Sequence, residues 1–194
     1  MFNSEVYTER RNALRKLVKS GIILFPGNTE AAYNYPANTY TFRQDSNFSY
    51  FFGLENPDFA GIVDVDNGTD YIFGNDFEID DIIWMGPQPK VADLAAKAGV
   101  KNTAPFSELG DFVTNAIKKQ RQVHFTPAYR GETVLQLSSL LGLKPSALRD
   151  YVSMDLIHAL VKMRSIKSDL EIAVIEKAVG VAWHMFTTGM PVFA

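Results

Sequence analysis

The chain has 194 residues, 46% hydrophobic and 21% charged, the profile of an ordinary globular protein with room for one substantial domain, or one domain and part of another. Lys and Arg number 19 against 22 Asp and Glu, and a net charge of -3 offers phosphates no attractive field, so nucleic-acid binding has little support. The absence of cysteine excludes disulfides, thiolate nucleophiles and cysteine zinc sites, and no apolar run approaches the ~20 residues that cross a bilayer.

At the N-terminus, MFNSEVY has no basic segment followed by an apolar one, so no export signal is read and the expected compartment is the cytoplasm. The sequons at Asn47 and Asn67 are accordingly taken as chance. Residues 4–20 read as a helix with Tyr7, Leu14, Leu17 and Val18 on one face, Glu9, Arg10, Arg15 and Lys16 elsewhere, and Gly21 as the C-terminal cap. The apolar run 22–25, closed by Pro26 and Gly27, reads as a buried strand. Residues 28–40 are rich in Asn, Tyr, Ala and Pro without a period and read as a long irregular connection.

That connection leads into residues 42–53, FRQDSNFSYFFG, where Phe42, Phe48, Tyr50, Phe51 and Phe52 surround the polar block Arg43–Asn47. So many aromatics belong in a core. A polar block against them is either a structural knot or a ligand site, because unsatisfied buried polar groups cost roughly 1–3 kcal/mol each. Two apolar runs, 60–65 and 70–73, flank Asn67-Gly68, a strong hairpin signal. A short helix is expected over 77–84, a break at Gly86-Pro87-Gln88-Pro89, an Ala-rich helix over 91–98 and a strand near 100–103. Ser107 is placed to cap a helix to about Lys119 with Leu109, Phe112, Val113 and Ile117 buried. A strand over 123–125 and a helix over 132–141 complete an alternation that predicts an α/β domain, a mixed sheet covered by helices.

After Pro145 the character changes. Residues 153–164 are helical, and Ser168 and Glu171 form a capping box opening a helix to about Thr188. That helix is apolar nearly all round, the pattern of an element buried on nearly all sides. Few residues follow it, and the chain reads as cut off there. The expected division is an N-terminal α/β domain over 1–152 and, over 153–194, an interdomain helix with the start of a second domain.

Catalytic motifs are scarce. Asp64, Asp66, Asn67 and Gly68 fail the register of a calcium loop and favour the hairpin. Asp76, Glu78, Asp80 and Asp81 suit a solvated helix start better than a metal site. His124, His158 and His184 have no metal-binding spacing, and no nucleophile elbow or phosphate loop is present. Trp84 stands between the acidic segment and the Gly-Pro loop; it is either a core anchor, which composition favours, or an apolar wall for a ligand.

Residues 40–53, YTFRQDSNFSYFFG, closely resemble the hallmark of the N-terminal domain of Xaa-Pro aminopeptidases (aminopeptidase P), prolidases and creatinases. Glu55-Asn56-Pro57 with the strand 61–65, Ile83-Trp84-Met85-Gly86, and Met163-Arg164 with Lys167-Ser168 and Glu171-Ile172 resemble further family segments in the right order. The resemblance implies a creatinase/aminopeptidase P N-terminal α/β domain ending in the first helix of a pita-bread catalytic domain that is missing here. It implies a cytoplasmic parent enzyme that removes the residue preceding proline from proline-containing peptides, using two divalent ions, manganese above all. The ligands of those ions lie downstream in the family, so no catalytic residue, metal ligand or cofactor is expected here, and the isolated chain is expected to be inactive. The resemblance also implies a homo-oligomer and turns the reading of Trp84 towards a substrate-binding wall at the pocket rim. Neither nucleic acid nor membrane is implied as a partner. A prolidase, a creatinase or a non-catalytic, histone-chaperone-like relative is the alternative parent. On this reading the five aromatics of 42–53 are core, and Arg43 to Ser46 are satisfied by backbone and one another, with Asp45 or Ser46 capping a short helix.

Overall fold

In the computed structural model, which describes residues 2–190, α1 (Ser4–Val18) turns Tyr7, Arg11, Leu14 and Val18 inward. Their spacing is the i, i+4, i+7, i+11 stripe of an amphipathic helix, with an arginine among the apolar residues. Lys19, not Gly21, makes the left-handed exit, with φ 73 and its N–H donated to the Arg15 carbonyl. β1 (Ile22–Pro26) follows. The connection expected to be irregular contains a two-stranded ribbon, β2 (Ala32–Tyr35) and β3 (Asn38–Thr39), with the Tyr33 and Tyr40 rings 4.2 Å apart. All of β2 is exposed, so no buried face marked it in the sequence.

The hallmark segment becomes α2 (Ser46–Phe52), and the Asn-Gly hairpin becomes β4 (Ala60–Asp64) and β5 (Thr69–Phe73). Then come α3 (Ile79–Met85), α4 (Val91–Lys97), β6 (Asn102–Ala104), a 3-10 turn over Phe106–Glu108 and α5 (Leu109–Lys118). Ser107 lies within that turn, and the residue preceding α5, Glu108, makes no side-chain cap. The buried face of α5 is Leu109, Val113 and Ala116, while Ile117 is 43% exposed. β7 (Val123–His124), α6 (Gly131–Leu141), a second 3-10 stretch over Pro145–Tyr151, α7 (Met154–Ser165) and α8 (Asp169–Gly189) complete the order.

Five strands form one mixed sheet in the order β6-β5-β4-β1-β7. β1, β4 and β5 are antiparallel neighbours, with Ile23 opposite Val63 and Ile62 opposite Tyr71. The two outer strands are parallel to theirs, β6 to β5 and β7 to β1. Because side chains alternate across a strand, Ile22 and Leu24 share one face with Ile62, Leu109, Val113 and Leu137. On the other face Phe25 meets Phe51 at 4.8 Å and Phe52 at 6.1 Å between ring centroids. Sequestering each such side chain contributes about 1.5–3 kcal/mol. Gly61 is required there: a Cβ would lie 2.3 Å from the Phe52 ring. These faces make the molecule the α/β fold that the alternation predicts.

The chain forms two compact units, residues 1–159 and 160–194, dividing within α7. In the second, the α8 capping box is present: Glu171 N–H donates to Ser168 Oγ at 3.4 Å and Ser168 N–H to Glu171 Oε2 at 2.9 Å. Among the described residues the apolar faces of this helix lie uncovered. Trp183, Met185 and Phe186 are 66%, 64% and 65% exposed, so its cap and its own hydrogen bonds hold it without a covering layer. The residues expected beyond it, 191–194, lie outside those described.

Candidate functional site

The hallmark segment is built as a structural knot. Asp45 Oδ1 accepts from the N–H groups of Asn47 at 2.8 Å and Phe48 at 3.0 Å, the N-cap of α2. Gln44 is buried; its Oε1 accepts from Asn28 N–H at 2.7 Å and Asp45 N–H at 2.9 Å, and its Nε2 donates to the Asn56 carbonyl at 2.8 Å. Phe48, Phe51 and Phe52 are fully buried, whereas Phe42 and Tyr50 are half-buried. The Arg10 guanidinium lies over the Tyr50 ring, 3.9 Å from the centroid. Arg43, expected to be satisfied by its neighbours, is exposed instead. The partner that the periodicity did not single out is Arg11. It donates to the Phe51 carbonyl at 2.7 Å, to Asp70 Oδ2 at 2.8 Å and to the Ala98 and Gly99 carbonyls at 3.0 and 3.3 Å. Burial holds its guanidinium below the usual arginine range, and the Asp70 carboxylate offsets part of that.

The carboxylates with catalytic potential are occupied. Asp64 accepts from Asn67 N–H and Nδ2 at 3.0 and 2.8 Å and is ion-paired with Arg121, which also holds Asp66 at 2.6 Å. Burial pushes the Asp64 carboxyl up, but the hydrogen bonds from Arg121 and Asn67 outweigh it and leave it below the ordinary value. Asp76 Oδ1 accepts from Val91 N–H at 2.7 Å, and Asp81 Oδ2 from Glu78 N–H at 3.1 Å, so this cluster starts helices. His124 is buried between Ser153 Oγ at 2.6 Å and the Ser20 carbonyl at 3.0 Å; burial lowers its pKa, and the Ser20 contact opposes that. His158 and His184 are exposed on α7 and α8. No group of three His, Asp or Glu among the described residues is arranged to hold a metal ion. A pair of divalent ions therefore does not fit the described side chains.

Trp84 is placed differently from all of these. It is 88% exposed on α3, a helix fixed at its start by the Glu78–Asp81 capping box and ended at Gly86. Ile79 and Ile83 on the same helix are 77% and 72% exposed, so α3 carries an uncovered apolar surface. The core-anchor reading of Trp84 is thereby excluded. Asp81 and Met85 of this helix border a cleft of about 770 Å³, together with α4, α6 and the segments 27–30 and 56–59. The sequence did not predict this cleft, because its lining comes from six separated stretches. No described helix is long and apolar enough to cross a membrane.

Known proteins share this fold. The solved low-pH form of Escherichia coli aminopeptidase P superposes with a TM-score of 0.71 at 21% identity, covering 92% of this chain and 42% of that one. Pseudomonas aeruginosa aminopeptidase PepP gives a TM-score of 0.73 at 20% identity over 89% of this chain and 41% of its own. The E. coli enzyme with the inhibitor Pro-Leu gives 0.69 at 22% identity over 91% and 42%. The chain thus spans less than half the length of these structures, and at such identity the likeness shows the fold. A comparison with curated proteins gives no match. The family model for the aminopeptidase P N-terminal domain matches residues 7–124, more than half of the chain and including the hallmark segment, and the protein belongs to that family.

Proposed function

We propose that this chain is the N-terminal, non-catalytic domain of a cytoplasmic Xaa-Pro aminopeptidase, and that Trp84 forms part of the rim of the peptide-binding pocket. The observation that carries the reading is Trp84 itself, 88% exposed on a capped helix in a domain of this family. A large aromatic left in water adds area to a bound peptide's apolar side chain at little entropic cost, since few torsions are frozen. The E. coli relative solved with Pro-Leu supports a proline-containing peptide as the ligand of the whole enzyme. Another solved relative is a zinc-substituted E. coli form with product, which supports a divalent metal; manganese, two ions per site, is our assignment. In this reading those ions are held by the rest of such an enzyme, since no described group of three His, Asp or Glu is arranged to hold one. The enzyme is a homo-oligomer in this reading, with α3 reaching the pocket of a neighbouring subunit.

In an enzyme carrying this domain, Trp84→Ala should raise KM for an Xaa-Pro peptide about tenfold and change kcat little, the pattern of lost uniform binding. The exposed side chain supports no packing, so circular dichroism should be unchanged. An unaltered KM would remove Trp84 from the pocket.

A further inference from the structure

Neither Trp84 nor a proline-specific reading accounts for the cleft beside α3. Its volume of about 770 Å³ falls within the range of ligand sites, ~300–1,000 Å³. Phe59, Phe77, Leu94, Phe106 and Met85 give it an apolar lining. Two of these, Phe77 and Met85, remain 44% and 53% exposed and so are not spent on the core.

The charged part of the lining has one sign. Glu30, Asp58, Asp76, Asp81 and Glu132 contribute, and no Lys, Arg or His does. Asp76 and Asp81 are engaged with the N–H groups of Val91 and Glu78, and Glu132 stands 3.8 Å from Arg130 just outside. Glu30 and Asp58 remain, both exposed at the cleft, with Asp58 in the left-handed region at φ 60 and its N–H held by the Asn28 carbonyl at 3.1 Å. Partial desolvation at the cleft wall, and secondarily the Glu30 charge, push the Asp58 carboxyl up, and a cation between the two acids offsets both. A bare metal ion does not fit, since no third ligand converges.

We propose that this cleft binds a peptide segment carrying a lysine or arginine beside an apolar side chain. The cation lies between Glu30 and Asp58, and the apolar group packs on Phe77, Phe106 and Leu94. Charge complementarity selects this occupant over an acidic or neutral one. The site makes no use of proline.

The test is fluorescence anisotropy of the purified 194-residue chain with two labelled, capped tetrapeptides without proline, Ala-Phe-Lys-Ala and Ala-Phe-Glu-Ala, together with amide chemical-shift mapping. The lysine peptide should bind saturably and the glutamate peptide about tenfold or more weaker, with added salt reducing the difference. The double variant Glu30→Gln/Asp58→Asn and the single variant Phe77→Ala should each lower affinity for the lysine peptide about tenfold, with circular dichroism preserved. Shifts should concentrate at Phe77, Leu94 and Phe106. Equal affinity for both peptides, no saturable binding, or shifts elsewhere would overturn the proposal. So would concentration-dependent shifts at the cleft without peptide, which would assign it to a second copy of the chain. Because neither peptide contains proline, a failure here leaves the Xaa-Pro reading untouched.

Discussion

Arg11→Ala is expected to lower the unfolding free energy by about 3–5 kcal/mol, the range for breaking a buried charge pair from one side. Arg11 has 0% exposure, and its guanidinium ties α1 to the end of α2, to the residues closing α4 and to Asp70 of β5. Alanine leaves the Phe51 and Ala98 carbonyls without that donor and deprives Asp70 of one cation, Arg15 remaining as its other. Arg11→Lys should recover only a small part, since a single ammonium cannot span acceptors on three elements as the forked guanidinium does. Urea unfolding followed by circular dichroism measures both; a loss under about 1 kcal/mol would show that water replaces the guanidinium at little cost.

The second large effect is expected at Phe52. It is fully buried, packs 5.2 Å from Phe48 and 6.1 Å from Phe25 between centroids, and lies beneath the Arg11 guanidinium at 5.3 Å. Phe52→Ala should cost about 3–5 kcal/mol, through lost burial and a cavity that the flanking strand cannot fill. Gly61 makes that cavity hard to close, because its backbone approaches the ring only by having no Cβ. Since Phe52 and Arg11 touch, the double variant should cost less than the sum, a coupling of about 0.5–3 kcal/mol in a double-mutant cycle. Strict additivity would mean that the two side chains stabilise the fold independently.

Local patterns made most of this fold readable. The Asn-Gly turn between apolar runs sets the β4–β5 register, and Ser168 with Glu171 starts α8 where the capping box places it. What escaped were features that local patterns do not carry. Arg11 occupies a core position at the same spacing as Tyr7 and Leu14, yet charge alone assigned it no buried role; Asp70 and the Phe51 and Ala98 carbonyls, 40 to 87 residues on, explain it. The ribbon at 32–39 buries no face and gave no alternation. The cap of α5 was misplaced because a 3-10 turn intervenes, and Lys19 took the left-handed turn assigned to a glycine. The candidate site divides in the same way. The Trp84 segment was legible as a motif, while the acidic, apolar cleft beside it depends on residues from 27 to 136 and exists only after folding.

We propose that this chain positions and recognises but does not cleave. That is tested most directly by incubating the purified 194-residue protein with manganese and an Xaa-Pro peptide, and measuring release of the N-terminal residue. We predict release no faster than in buffer with manganese alone. Turnover that scales with protein concentration and is abolished by chelation would contradict the account.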